Sequence, residues 1–258
     1  MKITCLVDNE SLNDNFKSEH GLSLYIETEN RKILFDMGQT TLFNENALHL
    51  GIDLSQVDLA VVSHGHYDHG GGLEHFLKLN NKATVYIHNL AFGEYYNGTE
   101  KYIGLKPSLL PEKRFVFTNG VTKIDKGLTL FDLNRDSADF FIQPQGLNEK
   151  INGEYIPDKF LHEQYLLIEE NSKSVLISGC SHKGIENITN FFMPDVLIGG
   201  FHFSKMPLDE NLKMRARQLS EYNTKFYTCH CTGKTVFDFM KNIAKNVEYL
   251  SCGSSIVI

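Results

Sequence analysis

Residues 63–72, SHGHYDHGGG, place His64, His66, Asp68 and His69 within six positions, directly after the apolar run DLAVV and ahead of three glycines. Imidazole and carboxylate groups are costly to bury without partners. On a straight strand residues 64, 66 and 68 would share one face and 69 the other. On a tight loop the four side chains can diverge to serve two adjacent ions. Nitrogen-rich sets of this kind suit zinc first, with manganese or iron as the other candidates. The chain has 11 histidines in 258 residues, so three of them beside an aspartate on one turn is not a chance grouping.

Four residues on one turn seldom complete two coordination spheres, so further ligands should sit at the ends of other strands. SVLISGCSHKG is an apolar run, a glycine, then Cys180 and His182. VLIGGFHF ends on His202, and NTKFYTCHCTGK brings His230 to a strand end before a glycine-opened helix. Taken singly, each could be a structural histidine; three apolar strands each ending near one is a joint signal. The C-x-C around His230 lacks the second cysteine pair of a zinc ribbon.

These groups must be held by a scaffold, and the chain is long enough to build one. It is 41% hydrophobic and 22% charged, an ordinary globular composition. Residues 2–8, 22–28 and 32–36 read as strands, with 29–32 closing a hairpin, and 57–63 as a fully buried strand. The glycines after His69 would turn the chain sharply into a helix over 73–79. Helices are also predicted over 40–51, 183–192, 208–222 and 233–244. Further strands are predicted at 83–89, 114–117, 128–133, 195–201 and 225–230, with a hairpin across 171–173. Two stretches, near 90–112 and 134–162, read as irregular lids. Meandering strands followed by strand–helix alternation, twice over, fit two packed sheets with helices outside better than one doubly wound sheet. We therefore expect one domain over 1–258.

The formal charge of −7 argues against a nucleic-acid surface. No apolar run approaches the ~20 residues needed to span a bilayer, and the N-terminus has no signal-peptide core. A cytoplasmic location is expected. Five cysteines, Cys5, Cys180, Cys229, Cys231 and Cys252, give an odd count that does not suit a disulfide framework.

SHGHYDHGGG resembles the signature of the metallo-β-lactamase superfamily, and LFDMGQ at 34–39 is similar to its short upstream aspartate motif. Together with LVDN, EHGLSLYIE, GCSHKGIENI, GGFHF and HCTG, the chain resembles the branch named after dihydropterin-ribofuranosylaminobenzene-phosphate synthase. The resemblance implies an αββα sandwich of two mixed sheets with helices on the outer faces and a two-metal site where the sheets meet. It implies His64 and His66 at the first metal, completed by His182. It implies Asp68 and His69 at the second, completed by His230. Where relatives carry a bridging aspartate this chain has GCSH, so either Cys180 takes the bridging place or no bridge exists, and Asp36 would be a buried carboxylate orienting ligands by hydrogen bonds.

The leading expectation is hydrolysis by a metal-activated water at a binuclear site, on a phosphorylated or phosphoester small molecule. Asp68 would orient the nucleophile. His202 would protonate the leaving group or hold a phosphate oxygen. Lys101, Lys106 and Arg114 are candidate anion contacts. Tyr95, Tyr96, Tyr102, Phe140 and Phe141 are candidates to stack on a planar ring such as a pterin. A pterin-pathway condensation with loss of pyrophosphate is the alternative on the same fold. A metal- or ligand-binding module without catalysis is the alternative in a different class.

Overall fold

The computed structural model describes residues 1–135, 140 and 144–258. Its first half runs β1 (Lys2–Val7), β2 (Ser23–Glu27), β3 (Lys32–Phe35), α1 (Leu42–His49), β4 (Leu59–Val62), α2 (Tyr67–Gly70), α3 (Leu73–Leu79) and β5 (Thr84–His88). There follow β6 (Tyr95–Asn97), β7 (Lys101–Tyr102), β8 (Phe115–Thr118), β9 (Val121–Asp125), β10 (Leu128–Phe131), β11 (Leu147–Ile151) and β12 (Glu154–Pro157). The last part is β13 (Tyr165–Glu170), β14 (Lys173–Ile177), α4 (Ile185–Phe192), β15 (Val196–Gly199), α5 (Glu210–Glu221), β16 (Lys225–Thr228), α6 (Lys234–Met240), β17 (Val247–Tyr249) and β18 (Ser255–Val257).

One seven-stranded sheet has the order β18-β1-β2-β3-β4-β5-β8, and a second has the order β17-β16-β15-β14-β13-β10-β9. Each is antiparallel where the chain meanders and parallel where helices intervene, from β3 to β8 and from β14 to β17. Alternation along the strands decides the layering. Ile3, Leu24, Ile26, Phe35 and Val61 from the first sheet meet Leu130, Leu166, Ile168, Val175 and Ile198 from the second in one buried layer. Leu34, Val62, Val85 and Ile87 face the other way, against Phe43 of α1 and Phe76 of α3. Leu176, Leu197 and Phe226 likewise face α4, α5 and α6 through Ile188, Leu212 and Val236. The result is the αββα sandwich. The hairpin at 171–172 turns on Asn171 and Ser172, both at positive φ (53° and 60°), the geometry of tight two-residue turns.

The structure corrects two expectations. Among the described residues the stretches 90–112 and 134–162 are not irregular throughout, because they supply four short strands that form a third sheet of order β12-β11-β6-β7. In it β6 pairs antiparallel with β11, Tyr96 opposite Asn148. The glycines after His69 also serve a different end. Gly71 and Gly72 have ordinary φ values of −62° and −75°. They are small because the ligand turn lies on the backbone of residues 37–40. A Cβ on Gly71 would strike Gln39 O, and one on Gly72 would strike Met37 O. The same segments are joined by Met37 N donating to His69 O at 2.7 Å and Gly72 N to Gly38 O at 3.2 Å. Gly72→Ala should therefore destabilise the protein by about 1–3 kcal/mol through overpacking. A lowered urea midpoint with an unchanged m-value is the expected readout. Among the described residues no helix is long and apolar enough to cross a membrane.

Candidate metal centre

The chemistry gathers at the C-terminal ends of the parallel strands. The loop after β4 carries His64 and His66, and the one-turn helix α2 carries Asp68 and His69. Cys180 and His182 follow β14, His202 follows β15, and His230 opens a short 3₁₀ turn after β16. Four non-glycine residues at these strand ends hold positive φ: Asp36 (59°), Ser181 (55°), His202 (55°) and His230 (48°). Such conformations cost free energy and recur where side chains are aimed at a site.

The buried hydrogen bonds fix the tautomer of three imidazoles. Asp36 is fully buried and accepts from Ser63 N at 2.7 Å, Ser63 Oγ at 2.7 Å and His69 Nδ1 at 2.7 Å. His69 therefore carries its proton on Nδ1 and turns Nε2 inward, 3.2 Å from Cys180 Sγ. Ser63 has spent its hydroxyl proton on Asp36, so it accepts from His64 Nδ1 at 2.8 Å. His64 Nε2 is left buried without a partner. His230 Nδ1 donates to Asn9 Oδ1 at 2.8 Å, which leaves its Nε2 bare as well. That nitrogen lies 3.3 Å from Asp68 Oδ2, a lone pair facing a carboxylate, an arrangement a cation would relieve. His66 Nε2 and both ring nitrogens of His182 are also buried without partners.

Donor atoms of His64, His66 and His182 lie within 4.8 Å of one another, as do those of His64, His69 and Cys180, and those of His20, Asp68 and His230. This is the donor chemistry of divalent transition-metal ions, and the buried bare nitrogens fit such ions. Cys180 also groups with His230 and Cys231, which places two thiols against the cleft. His182 is held by its own backbone: His182 N and Lys183 N donate to Glu163 at 2.7 and 3.1 Å. Its ring stacks on Phe160 at 4.1 Å between centroids. His230 N donates to Asp8 Oδ1 at 2.5 Å, and burial pushes the Asp8 carboxyl up to about 6.

A cleft of about 140 Å³ opens over these residues, lined in part by Tyr67, Lys101, Leu147, His202, Ser204 and Lys205. A larger crevice of about 470 Å³ between turns 28–31 and 169–171 contains no histidine or cysteine and lies apart from this chemistry. The structure brings His202 to the cleft wall, its ring 4.4 Å from that of His182. Lys101 reaches the rim, donating to Tyr67 OH at 3.2 Å. It does not bring Lys106 or Arg114 to the cleft. Lys106 pairs with Glu74 at 2.9 Å, while Arg114 clamps the carbonyls of Leu77 and Asn80 beside Glu112. These two are framework cations, since partners on their own surface satisfy them. The aromatic candidates among the described residues are not in the cleft lining either. Tyr95 packs on His162 at 3.9 Å, Tyr96 packs on Tyr102 and Tyr155, and Phe140 joins the outer core of the second sheet. Phe141 lies outside the described residues.

The sequence reading missed Asn9, His20, Ser63, Asp158, His162 and Lys205. His162 accepts from Gly65 N at 2.9 Å and donates from Nε2 to Asp158 Oδ2 at 3.1 Å, bracing the loop that carries His66. The LHEQ segment was a usable signal, a histidine beside acid and amide in a polar stretch.

So many buried imidazoles make the metal-free protein acid-sensitive. Burial lowers His162, His202 and His230 to about 4. Burial and neighbouring imidazoles hold His64 and His182 well below the usual range. At His69 burial acts in the same direction, but the Asp36 and Asp68 carboxylates outweigh it and raise the group. Unfolded imidazoles take up protons near ~6.5. The five depressed groups resist until lower pH, so the unfolded state binds more protons as pH falls. With chelator present, stability should be full above about pH 6.5 and fall steeply toward about pH 4. Equal urea midpoints at about pH 7.5 and about pH 5 would contradict this.

The family model described as the metallo-beta-lactamase superfamily matches residues 19–222. An uncharacterized protein of Methanocaldococcus jannaschii is 30% identical over 243 residues, 90% of each chain. The same organism's 7,8-dihydropterin-6-methyl-4-(β-D-ribofuranosyl)-aminobenzene-5′-phosphate synthase is 28% identical over 281 aligned residues, covering 98% of this chain and 95% of that one. The crystal structure of Tm1679, described as a metal-dependent hydrolase of the β-lactamase superfamily, superposes with a TM-score of 0.82 at 30% identity, covering 100% of this chain and 99% of that one.

Proposed function

Because the chain belongs to the metallo-β-lactamase superfamily, we propose that it is a hydrolase with two zinc ions that cleaves a phosphorylated or phosphoester small molecule. The observation that supports this best is the set of locked imidazoles, His64, His69 and His230, each with Nδ1 spent, which leaves Nε2 of His64 and His230 bare and turns that of His69 toward the Cys180 thiol. His64, His66 and His182 would hold one ion, and Asp68, His69 and His230 the other, with Cys180 beside them. When bound, the ions supply Lewis acidity, lowering the pKa of a coordinated water toward ~7 and neutralising anionic oxygens.

The chain's own residues orient and select. Asp36 keeps His69 in one tautomer directly and His64 through Ser63. His202 is fixed by its backbone, N donating to Cys231 Sγ at 3.3 Å and O accepting from Gln145 Nε2 at 3.1 Å. Its ring is thereby placed to donate to an anionic oxygen of the substrate. Lys101 and Lys205 put positive charge on the rim of a chain whose net charge is −7, which favours an anionic substrate. The cleft's size favours a small one.

A second reading follows from the 28% identical synthase that this chain matches nearly end to end. Here the same cleft joins a dihydropterin diphosphate to ribofuranosylaminobenzene phosphate and releases pyrophosphate. Metal content per chain, followed by a panel of phosphomonoesters and phosphodiesters, separates the readings. Two equivalents with turnover support the hydrolase. Two equivalents without turnover but with pyrophosphate release support the synthase. Absence of metal after reconstitution rejects both.

A further inference from the structure

His20, in the loop between β1 and β2, is not among the ligands assigned above, yet it stands against one of them. Its Nε2 lies 3.2 Å from Asp68 Oδ2, the same oxygen that His230 Nε2 approaches at 3.3 Å. The His20 and His230 rings are 4.9 Å apart. Distance alone would make His20 an extra metal ligand.

Asn9 distinguishes the two imidazoles. Its side-chain oxygen accepts from the backbone N–H of Gly21 at 3.2 Å, a group that can only donate. That contact fixes which end of the amide is which. The same oxygen accepts from His230 Nδ1 at 2.8 Å, while Asn9 Nδ2, a donor only, faces His20 Nδ1 at 3.3 Å. His230 therefore presents a bare Nε2. Neutral His20 carries its proton on Nε2, pointing at Asp68. The loop holds it there: Glu19 accepts from Gln39 N, Thr40 N and Thr40 Oγ1 at 3.1, 3.1 and 2.7 Å. On the other side, a Cβ on Gly21 would lie 2.7 Å from Asp68 O, so this residue packs directly on the ligand turn.

We propose that Asn9 sorts the two histidines by tautomer, His230 as a metal ligand and His20 as the hydrogen-bond donor that orients the Asp68 carboxylate. His20 is a positioning residue that acts through Asp68. The inference rests on Asp68 and His230 holding the second ion.

The test uses the full chain loaded with cobalt(II), reading stepwise affinity and the number of imidazole ligands by X-ray absorption. His20→Ala should weaken the second ion about tenfold, as loss of a group orienting a ligand does, with the imidazole count unchanged. His20→Gln, whose amide N–H can reach Asp68, should restore most of that affinity. A count lower by one without rescue by glutamine would make His20 a ligand and overturn the proposal. Unchanged affinity in His20→Ala would overturn it too. His230→Ala is the control: if that variant keeps second-ion affinity, the assignment of the second ion has failed and the proposal falls with it.

Discussion

Replacing His66 by alanine should weaken the ion held with His64 and His182 by about 100–1,000-fold and abolish turnover, while the metal-free protein stays folded. Four-ligand zinc sites bind with roughly 10–16 kcal/mol, so one ligand in four accounts for about 3 kcal/mol, or two to three decades. The folding side differs from an ordinary core truncation. His66 Nε2 is buried without a hydrogen-bond partner, and the nearest carboxylate oxygen, on Asp158, is 3.9 Å away. Removing the ring thus removes an unsatisfied polar atom along with its packing against Tyr95 and Phe160. The two effects oppose each other, and the melting temperature in chelator should move little. With metal present the difference should be large, because the wild type gains stability by binding and the variant does not. Elemental analysis after gel filtration is the direct measurement. Full occupancy in the variant would remove His66 from the site.

Sequence and structure agree where chemistry is dense along the chain. Strands such as β4 and β15 are four consecutive buried residues, so their apolar runs stand out and the histidines that follow them are conspicuous. The third sheet was hidden for the opposite reason. Both residues of β7 are exposed, β12 is mostly exposed, and β6 finds its partner β11 about fifty residues later. Neither periodicity nor apolar content marks such strands. The supporting residues were hidden for a related reason. Asn9, His20 and His162 are single polar residues in loops, and their roles come from pairings with groups far away in sequence. Lys106 and Arg114 show the reverse error, since a cation in the sequence does not reveal that Glu74 or Glu112 already neutralises it. Asp36 was legible in both senses, as a motif residue and as a carboxylate with an orienting task.

Asp36→Asn tests that task with almost no change in shape. The carboxylate takes three donors: Ser63 N on Oδ1, and Ser63 Oγ with His69 Nδ1 on Oδ2. An amide offers one acceptor end and one donor end. If its nitrogen replaces Oδ1, two N–H groups collide at Ser63. If it replaces Oδ2, Ser63 loses the acceptor that freed its lone pair for His64, and His69 Nδ1 must become an acceptor. The proton of His69 then moves to Nε2, the nitrogen needed for metal. The first orientation repels Ser63 N and the second resets both His64 and His69, so the affinities of both proposed ions should fall by about 10–100-fold. Asparagine tolerates the left-handed backbone at this position, φ 59°, so the fold should survive. Chelator competition measures the affinities, and nitrogen-15 shifts of the imidazole rings report the tautomers. Unchanged affinity together with His69 still protonated at Nδ1 would mean that Asp36 serves the fold alone. The expected pair, weaker binding and a displaced proton, would show that one buried carboxylate sets the protonation state of the ligands of both ions.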